Sequence, residues 1–363
     1  MTFAAVALLA FVGVLVGSPV VIAWLRERGV IDMPNARSSH DIPTPRGVGI
    51  AVVLGVGGAG ALAAVVLSET LEIAVVTLVA TMCAVIGFIE DIRGVSQKWR
   101  LAFQLLLALA AVGAIVGLPQ TIGGWCFSVL AVVGLIAYVN AVNFMDGING
   151  ISAMHGIAVG SVWACAGFLS DARGFAAVGV LIASGCAGFL PWNFPSAKGF
   201  LGDVGSYFLG GWLGAGAIVG FVSGVNPRVV AAPLAVYVID TGLTIVQRFL
   251  RHEPLLAAHR AHVYQRLVRL GWSHARSTLF VTSIAVVLSV AALYGTSVLV
   301  VTTLALATTY GFAPVLVRVH LDRTTGSRVI SLRPDTSLMP SVIPVASGAA
   351  PDSVPEVAAT EVA

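Results

Sequence analysis

The chain has 363 residues, of which 58% are hydrophobic and only 10% charged, with a mean hydropathy of +0.95. That composition excludes a soluble globular domain, whose water-exposed surface needs far more ionisable side chains. The formal charge of +3 is small and scattered over loops, which argues against a nucleic-acid-binding surface.

Apolar runs long enough to cross a hydrocarbon core, which takes about 20 helical residues, recur along the chain. Eleven are predicted, at about 4–24, 47–67, 73–89, 101–118, 125–142, 151–169, 175–192, 205–222, 229–247, 277–293 and 298–317. The first begins without a basic n-region or a convincing cleavage site before Arg26, so it is expected to be a retained helix and not a signal peptide. The fold class is therefore all-α and polytopic. Lys and Arg accumulate in cytoplasmic loops, and of 20 such residues only Arg173 and Arg228 follow even-numbered spans. With an odd number of spans this bias places the N-terminus outside and the C-terminus in the cytoplasm.

The outer connections are short turns, among them "LPQTIGG" near Gln120 and "SDARG" near Asp171. Cytoplasmic connections are longer and hold nearly every ionisable residue before the tail. Residues 1–320 are expected to form the membrane domain and 321–363 a cytoplasmic tail. From about Leu332 the tail carries Pro334, Pro340, Pro344, Pro351 and Pro355 among Ser, Ala and Val, a composition that buries no core and predicts disorder. Cys83, Cys126, Cys165 and Cys186 fall inside apolar spans with no CxxC pair, and read as small core residues, neither a disulfide framework nor a metal cage. No fixed-period repeat or inverted symmetry marks a secondary transporter.

Five cytoplasmic segments carry candidate chemistry. "RSSHDIPTPRGVGI", Arg37 to Ile50, is a polar loop ending in prolines and glycines before the second span. In "GFIEDIRGVSQKWRLAFQ", Glu90 and Asp91 follow the third span, and Lys98 and Arg100 precede the fourth. In "VNAVNFMDGINGISA", a fifth helix running past Val139 would place Asn140, Asn143, Asp146 and Asn149 on one polar face. "PSAKGFLGDVGSYFLGG" sets Asp203 in a glycine-flanked turn that opens the eighth span. In "RFLRHEPLLAAHRAHVYQRLVRLGWSHARS", His259, His262, Arg266 and Arg269 form one helical stripe.

Taken singly, each has an unremarkable reading. Asn and Asp at helix ends cap helices or form Asx turns, the Glu90–Asp91 pair can mark a membrane boundary, and a His/Arg helix can meet anionic head groups. His155 and Asp240, ionisable and set near helix ends inside apolar spans, are functional candidates by depth alone. Jointly the pattern is more pointed. Three acidic clusters emerge on one face beside glycines, and carboxylates that converge repel unless a cation joins them. Oxygen ligands of this kind suit Mg²⁺ or Mn²⁺, and nearby basic side chains suit phosphates.

The motifs "NAVNFMDGINGI", "GFLGDVGS", "GFIEDIRG" and "HRAHVYQRL" resemble those of the polyprenyl-phosphate N-acetylhexosamine-1-phosphate transferases of glycosyltransferase family 4. That family includes phospho-N-acetylmuramoyl-pentapeptide translocase and the transferases that initiate O-antigen, enterobacterial common antigen and teichoic acid. The resemblance covers about residues 5 to 320 in order and hydropathy. It implies a bacterial cytoplasmic (inner) membrane enzyme with its active site on the cytoplasmic face. Its reaction is Mg²⁺-dependent transfer of N-acetylhexosamine 1-phosphate from a UDP-sugar to undecaprenyl phosphate, with release of UMP. Membrane lipid is the surrounding partner, nucleic acid is not one, and a homodimer is left open.

Position by position, the resemblance makes Asp203 the principal metal ligand and Asp146 the active-site aspartate beside metal and nucleotide. Asn143 shares that motif, and Glu90 and Asp91 match an acidic pair that deprotonates or positions the lipid phosphate. Arg100 stands where the family often has a basic residue, and His259, Arg260 and His262 match a loop that contacts the donor. Two departures stand out. The family usually has Asp-Asp at Glu90-Asp91, which gives Asp91 any role needing strict geometry, and often a second Asp at Asn149, which makes Asn149 a substrate contact here. "HRAHVYQRLVRLGWSH" looks more like the O-antigen initiators than the translocase. The competing reading is a transporter or flippase of a lipid-linked sugar, which would bind phosphates without turnover.

Overall fold

With no water in a hydrocarbon core, each apolar run closes its backbone hydrogen bonds within a helix. The computed structural model describes residues 2–34, 42–67, 70–254 and 261–325. Among these described residues are eleven helices long and apolar enough to cross a membrane, in agreement with the predicted spans. Met1–Val319 form one compact unit, and His320–Ala363 a second.

In chain order, α1 (Phe3–Glu27) leads through a two-stranded antiparallel hairpin, β1 (Ile31–Asp32) with β2 (Thr44–Pro45), in which Ile31 faces Pro45. The second span is α2 (Gly49–Val52), a π-helical turn (Val53–Gly57) and α3 (Gly58–Val66). Then follow α4 (Thr70–Arg93), α5 (Gln97–Val116), α6 (Ile122–Met145), α7 (Ile151–Leu169), α8 (Arg173–Asn193) and α9 (Gly202–Val222). The ninth span is broken into α10 (Pro227–Ala231), a 3₁₀ turn (Ala232–Leu234) and α11 (Ala235–Leu250). After the short α12 (Val263–Arg269) come α13 (His274–Leu293) and α14 (Thr296–Thr325). Neither the hairpin nor the π turn is visible as a periodicity in the sequence.

Helix α9 is the axle of the bundle: 94% of its apolar window is buried, against 22% for that of α5. Small residues allow this, as expected where lipid supplies no hydrophobic drive between helices. A side chain at Gly210 would press on the backbone of Val139 in α6, and one at Gly211 on Cys83 of α4. At Gly87 of α4 an added Cβ would run into the carbonyl of Asp203. α9 therefore packs backbone to backbone against α4 and α6, whose C-terminal ends meet its N-terminus. Buried tryptophans are satisfied locally: Trp212 Nε1 donates to Val178 O and Trp163 Nε1 to Val230 O, both at 3.0 Å.

The cysteines divide differently from the sequence reading. Cys83 and Cys186 are buried, but Cys126 and Cys165 are exposed on the outside of the bundle, so only two are core residues. An outward face costs nothing here because its solvent is hydrocarbon.

Candidate active site

The hairpin fixes one wall of the site. Phe200 N donates to Pro45 O at 2.8 Å, and Gly47 N and Val48 N donate to Phe200 O at 3.2 and 2.9 Å. These bonds tie the strand end at Arg46 to the segment entering α9. Gly202 adopts φ +74°, a left-handed conformation that disfavours a side chain, and it turns the chain into α9 with Asp203 in the first helical turn.

The α9 N-terminus exposes backbone donors and the positive end of the helix dipole. Asp91, on the last turn of α4, answers both: its Oδ2 accepts from Val204 N at 2.9 Å. Gly87, one turn earlier on α4, permits this approach. Asp203 and Asp91 then share one cation, since Arg46 Nε lies 3.1 Å from Asp91 Oδ1 and Arg46 Nη2 3.1 Å from Asp203 Oδ1. Burial works against the Arg46 charge, but Asp203, Asp91 and Asp32 outweigh it and raise the guanidinium above its ordinary value.

The third contributor is the end of α6. Asn143 Nδ2 donates to Asp203 Oδ1 and to Ser206 Oγ, each at 3.0 Å. Helix α6 stops at Met145, so Asp146 occupies its C-cap, where Ser152 Oγ donates to Asp146 Oδ1 at 2.6 Å. Burial pushes the Asp146 carboxyl up to about 7; the Ser152 bond opposes this, Asp203 adds to it, and Arg46 opposes it again. The charges of Asp203, Arg46 and Asp91 all act on this carboxyl.

The predicted single polar face is not formed. Asn140 turns to α5, donating to Gln104 Oε1 and to Ile136 O at 2.7 Å, and Asn149 lies beyond the helix. Asn149 Nδ2 donates to Pro195 O at 3.1 Å, and its carbonyl accepts from Thr278 Oγ1 at 2.8 Å. The α6 helix ends at Met145, before a further turn could bring Asn149 into line; Gly147 then lies against the Tyr264 hydroxyl, where a side chain would clash, and Gly150 takes φ +79°. Tyr264 OH donates to Phe144 O at 2.9 Å and docks α12 on this turn.

Glu90 and Asp91 separate in role because adjacent helical residues point about 100° apart. Glu90 Oε1 accepts from Arg100 Nη1 at 3.1 Å, and Glu90 Oε2 from Val95 N at 2.7 Å. Arg100 Nη1 also donates to Tyr207 OH at 3.0 Å, one turn into α9 from Asp203. Glu90 thus holds Arg100 beside the carboxylate group and does not itself join Asp91 and Asp203.

His259 and Arg260 lie outside the described residues. His262 precedes α12 and is 3% exposed. Its Nδ1 sits 3.1 Å from Asp240 Oδ1, which also accepts from Val263 N at 3.2 Å, while Tyr310 OH donates to Asp240 Oδ2 at 2.6 Å. Asp240 therefore fastens the start of α12 to α11 and α14. In α12, Arg266 is desolvated by burial and crowded by Arg251 and Arg269, which lowers its affinity for a proton. His155 is a core residue: its Nε2 pairs with Tyr138 OH at 2.7 Å and its ring stacks on Tyr237 at 3.7 Å.

The sequence reading missed Arg46 as a site residue, although it had marked the loop that carries it, and it missed Ser152, Ser206 and Tyr207. The signal for Arg46 was "PTPRG", prolines and a glycine fixing a single basic residue at the edge of a span. Ser152, Ser206 and Tyr207 carry no such mark. Among the described residues no three His, Cys, Asp or Glu side chains form a metal cage by themselves. Asp91, Asp203 and Asp146 offer only oxygen donors, which fits Mg²⁺: that ion takes one or two carboxylates and fills its shell with water and phosphate oxygens.

Residues 73–221 match the profile of glycosyl transferase family 4, a range holding Glu90, Asp91, Arg100, Asn143, Asp146, Asn149 and Asp203. The chain is 31% identical over 321 residues to a decaprenyl-phosphate N-acetylglucosaminephosphotransferase of Mycobacterium leprae (strain TN), covering 74% of this chain and 75% of that protein. It is 29% identical over 294 residues to a protein of Bacillus subtilis (strain 168) named probable undecaprenyl-phosphate N-acetylglucosaminyl 1-phosphate transferase, covering 77% and 81%. A phospho-N-acetylmuramoyl-pentapeptide-transferase of Moorella thermoacetica (strain ATCC 39073 / JCM 9320) is 28% identical over 323 residues, covering 79% and 96%.

Proposed function

This chain belongs to glycosyl transferase family 4 and is a membrane-embedded glycosyl-1-phosphate transferase, and on that premise we propose its donor, cofactor and orientation. The donor is a UDP-N-acetylhexosamine, the acceptor undecaprenyl phosphate, and the ion Mg²⁺. The products are UMP and an undecaprenyl-pyrophosphate-linked sugar that initiates a cell-surface glycan such as an O-antigen. The site faces the cytoplasm at the inner membrane, where UDP-sugars are made, and the bias of Lys and Arg supports this orientation. The observation that carries the reading is that Asp91, Asp203 and Asn143, from three different spans, meet at the N-terminus of α9.

Phosphoryl transfer asks a protein mainly for positioning and charge neutralisation. An oxygen of the lipid phosphate forms a bond to the sugar-linked phosphorus, and that phosphorus loses its bond to the bridging oxygen, which leaves on UMP. Asp203, with Asp146 or Asp91, would hold Mg²⁺, which when bound would neutralise charge on the pyrophosphate and the departing UMP. Asn143 orients Asp203, and Ser152 orients Asp146. Arg100, held by Glu90 and Tyr207, meets the acceptor phosphate, and the loop from His259 to His262 meets the donor, with Asp240 holding its end in place. Asn149 acts through the turn that it braces.

The test is direct: purified protein, Mg²⁺ and undecaprenyl phosphate are incubated with a panel of UDP-N-acetylhexosamines and scored for UMP. Acceptor-dependent UMP release that chelation abolishes is the expected outcome. A protein that moves lipid-linked sugars without turnover releases none.

A further inference from the structure

Arg46 stands apart from the rest of the site. It lies outside the 73–221 stretch that matches the family profile, and it is the residue that follows the hairpin and not part of a span. Its guanidinium joins Asp91 and Asp203 at 3.1 Å each, with side-chain exposures of 43% for Arg46 against 7% and 19% for the two carboxylates. It therefore covers them from the open side.

Two carboxylates brought this close need a positive partner, and in the free protein that partner is Arg46. A divalent cation drawn by Asp91 and Asp203 competes for the same oxygens. The Arg46 backbone is pinned, since Arg46 N donates to Val30 O at 3.3 Å and the neighbouring Phe200 N to Pro45 O at 2.8 Å. Its long side chain is not so confined, and a guanidinium released from two carboxylates keeps the planar fork that matches phosphate oxygens.

We propose that Arg46 is a substrate-binding residue that serves as internal counter-ion to Asp91 and Asp203 in the free enzyme and transfers to the donor pyrophosphate when the divalent cation takes its place. The proposal rests on the metal and donor assignments above. Its consequence is coupling: bare cation binds weakly because it must displace Arg46, and cation with nucleotide binds well because Arg46 gains a new partner.

The experiment is Mn²⁺ binding followed by electron paramagnetic resonance on purified protein in detergent, with and without UDP, which carries the pyrophosphate without the sugar, for wild type, Arg46→Gln, Arg46→Lys and Asp203→Asn. Removing a unit charge at contact distance should tighten Mn²⁺ binding to free Arg46→Gln by about tenfold or more. The same variant should bind UDP to the Mn²⁺-loaded protein about tenfold more weakly, the loss expected for a charge-assisted fork. Arg46→Lys, which keeps the charge without the fork, should resemble wild type in Mn²⁺ affinity and Arg46→Gln in UDP affinity. A purely structural role would weaken both. Mn²⁺ affinity in Arg46→Gln equal to or below that of wild type overturns the proposal, as does unchanged UDP binding. If wild type binds Mn²⁺ no better than Asp203→Asn, the metal assignment itself fails; if that binding needs Asp203 but ignores Arg46, only this proposal fails.

Discussion

Asn143 Nδ2 donates to Asp203 Oδ1 at 3.0 Å, the same oxygen that Arg46 Nη2 approaches at 3.1 Å. A neutral amide and a cation thus hold one carboxylate oxygen from two sides. The amide adds a donor without adding charge, so the negative charge of Asp203 stays available to a cation.

Asp203→Asn nearly preserves shape while removing that charge. Turnover is expected to fall by about 10²–10³-fold, as when one preorganised charge-stabilising group is lost, with the thermal unfolding midpoint in detergent close to wild type. Near-wild-type UMP release would remove Asp203 from the metal site.

Asn149→Asp carries a different cost. The Nδ2 that donates to Pro195 O is replaced by an oxygen facing a carbonyl, so stability should drop by about 1 kcal/mol while kcat stays largely intact and donor affinity shifts. A folded but inactive variant would show that this turn contributes more than its brace.

The Asp146 carboxyl is pushed up to about 7 from an ordinary 3.8, mainly by burial and further by the charge of Asp203. Between these values the folded protein binds a proton that the unfolded chain has lost, so metal-free stability should decline as pH rises from about 4 to 7. Ligation needs the deprotonated form, so Mg²⁺ should raise the unfolding midpoint more at pH 8 than at pH 5.5. Asp146→Asn should flatten both trends. Equal Mg²⁺ stabilisation at the two pH values would contradict this.

Asp240 accepts from Tyr310 OH and Val263 N and sits against His262. Asp240→Ala strands these buried partners and should cost about 3–5 kcal/mol, whereas Tyr310→Phe should cost about 1–3 kcal/mol. In the milder variant the loop is loosened without loss of the fold, so donor KM should rise with kcat less affected. Steady-state kinetics with varied UDP-sugar separates the two.

Orientation is testable by labelling single cysteines in intact cells, after replacing the exposed Cys126 and Cys165. Positions 173 and 228 should react with an impermeant reagent and position 98 should not. The reverse pattern would invert the proposed topology.

The eleven spans were legible because crossing hydrocarbon demands about 20 consecutive apolar residues, a local property written in one stretch of chain. Asp203, Asp146 and Asn143 were legible as motif residues, through their resemblance to a known family. The stripe proposed for Asn140 to Asn149 failed because helix length, and with it the facing of every later residue, depends on what packs at the end: Tyr264 fills the space that Gly147 leaves, and α6 stops at Met145.

Hydropathy alone sufficed for the fold class, since it acts residue by residue along a helix. The partner of each charge was settled only in three dimensions. Arg46 meets Asp91 and Asp203 across 45 and 157 positions, and His262 faces Asp240 across 22. A carboxylate emerging from a span announces that it needs a cation, but which cation reaches it depends on how closely glycines let α4 and α9 approach.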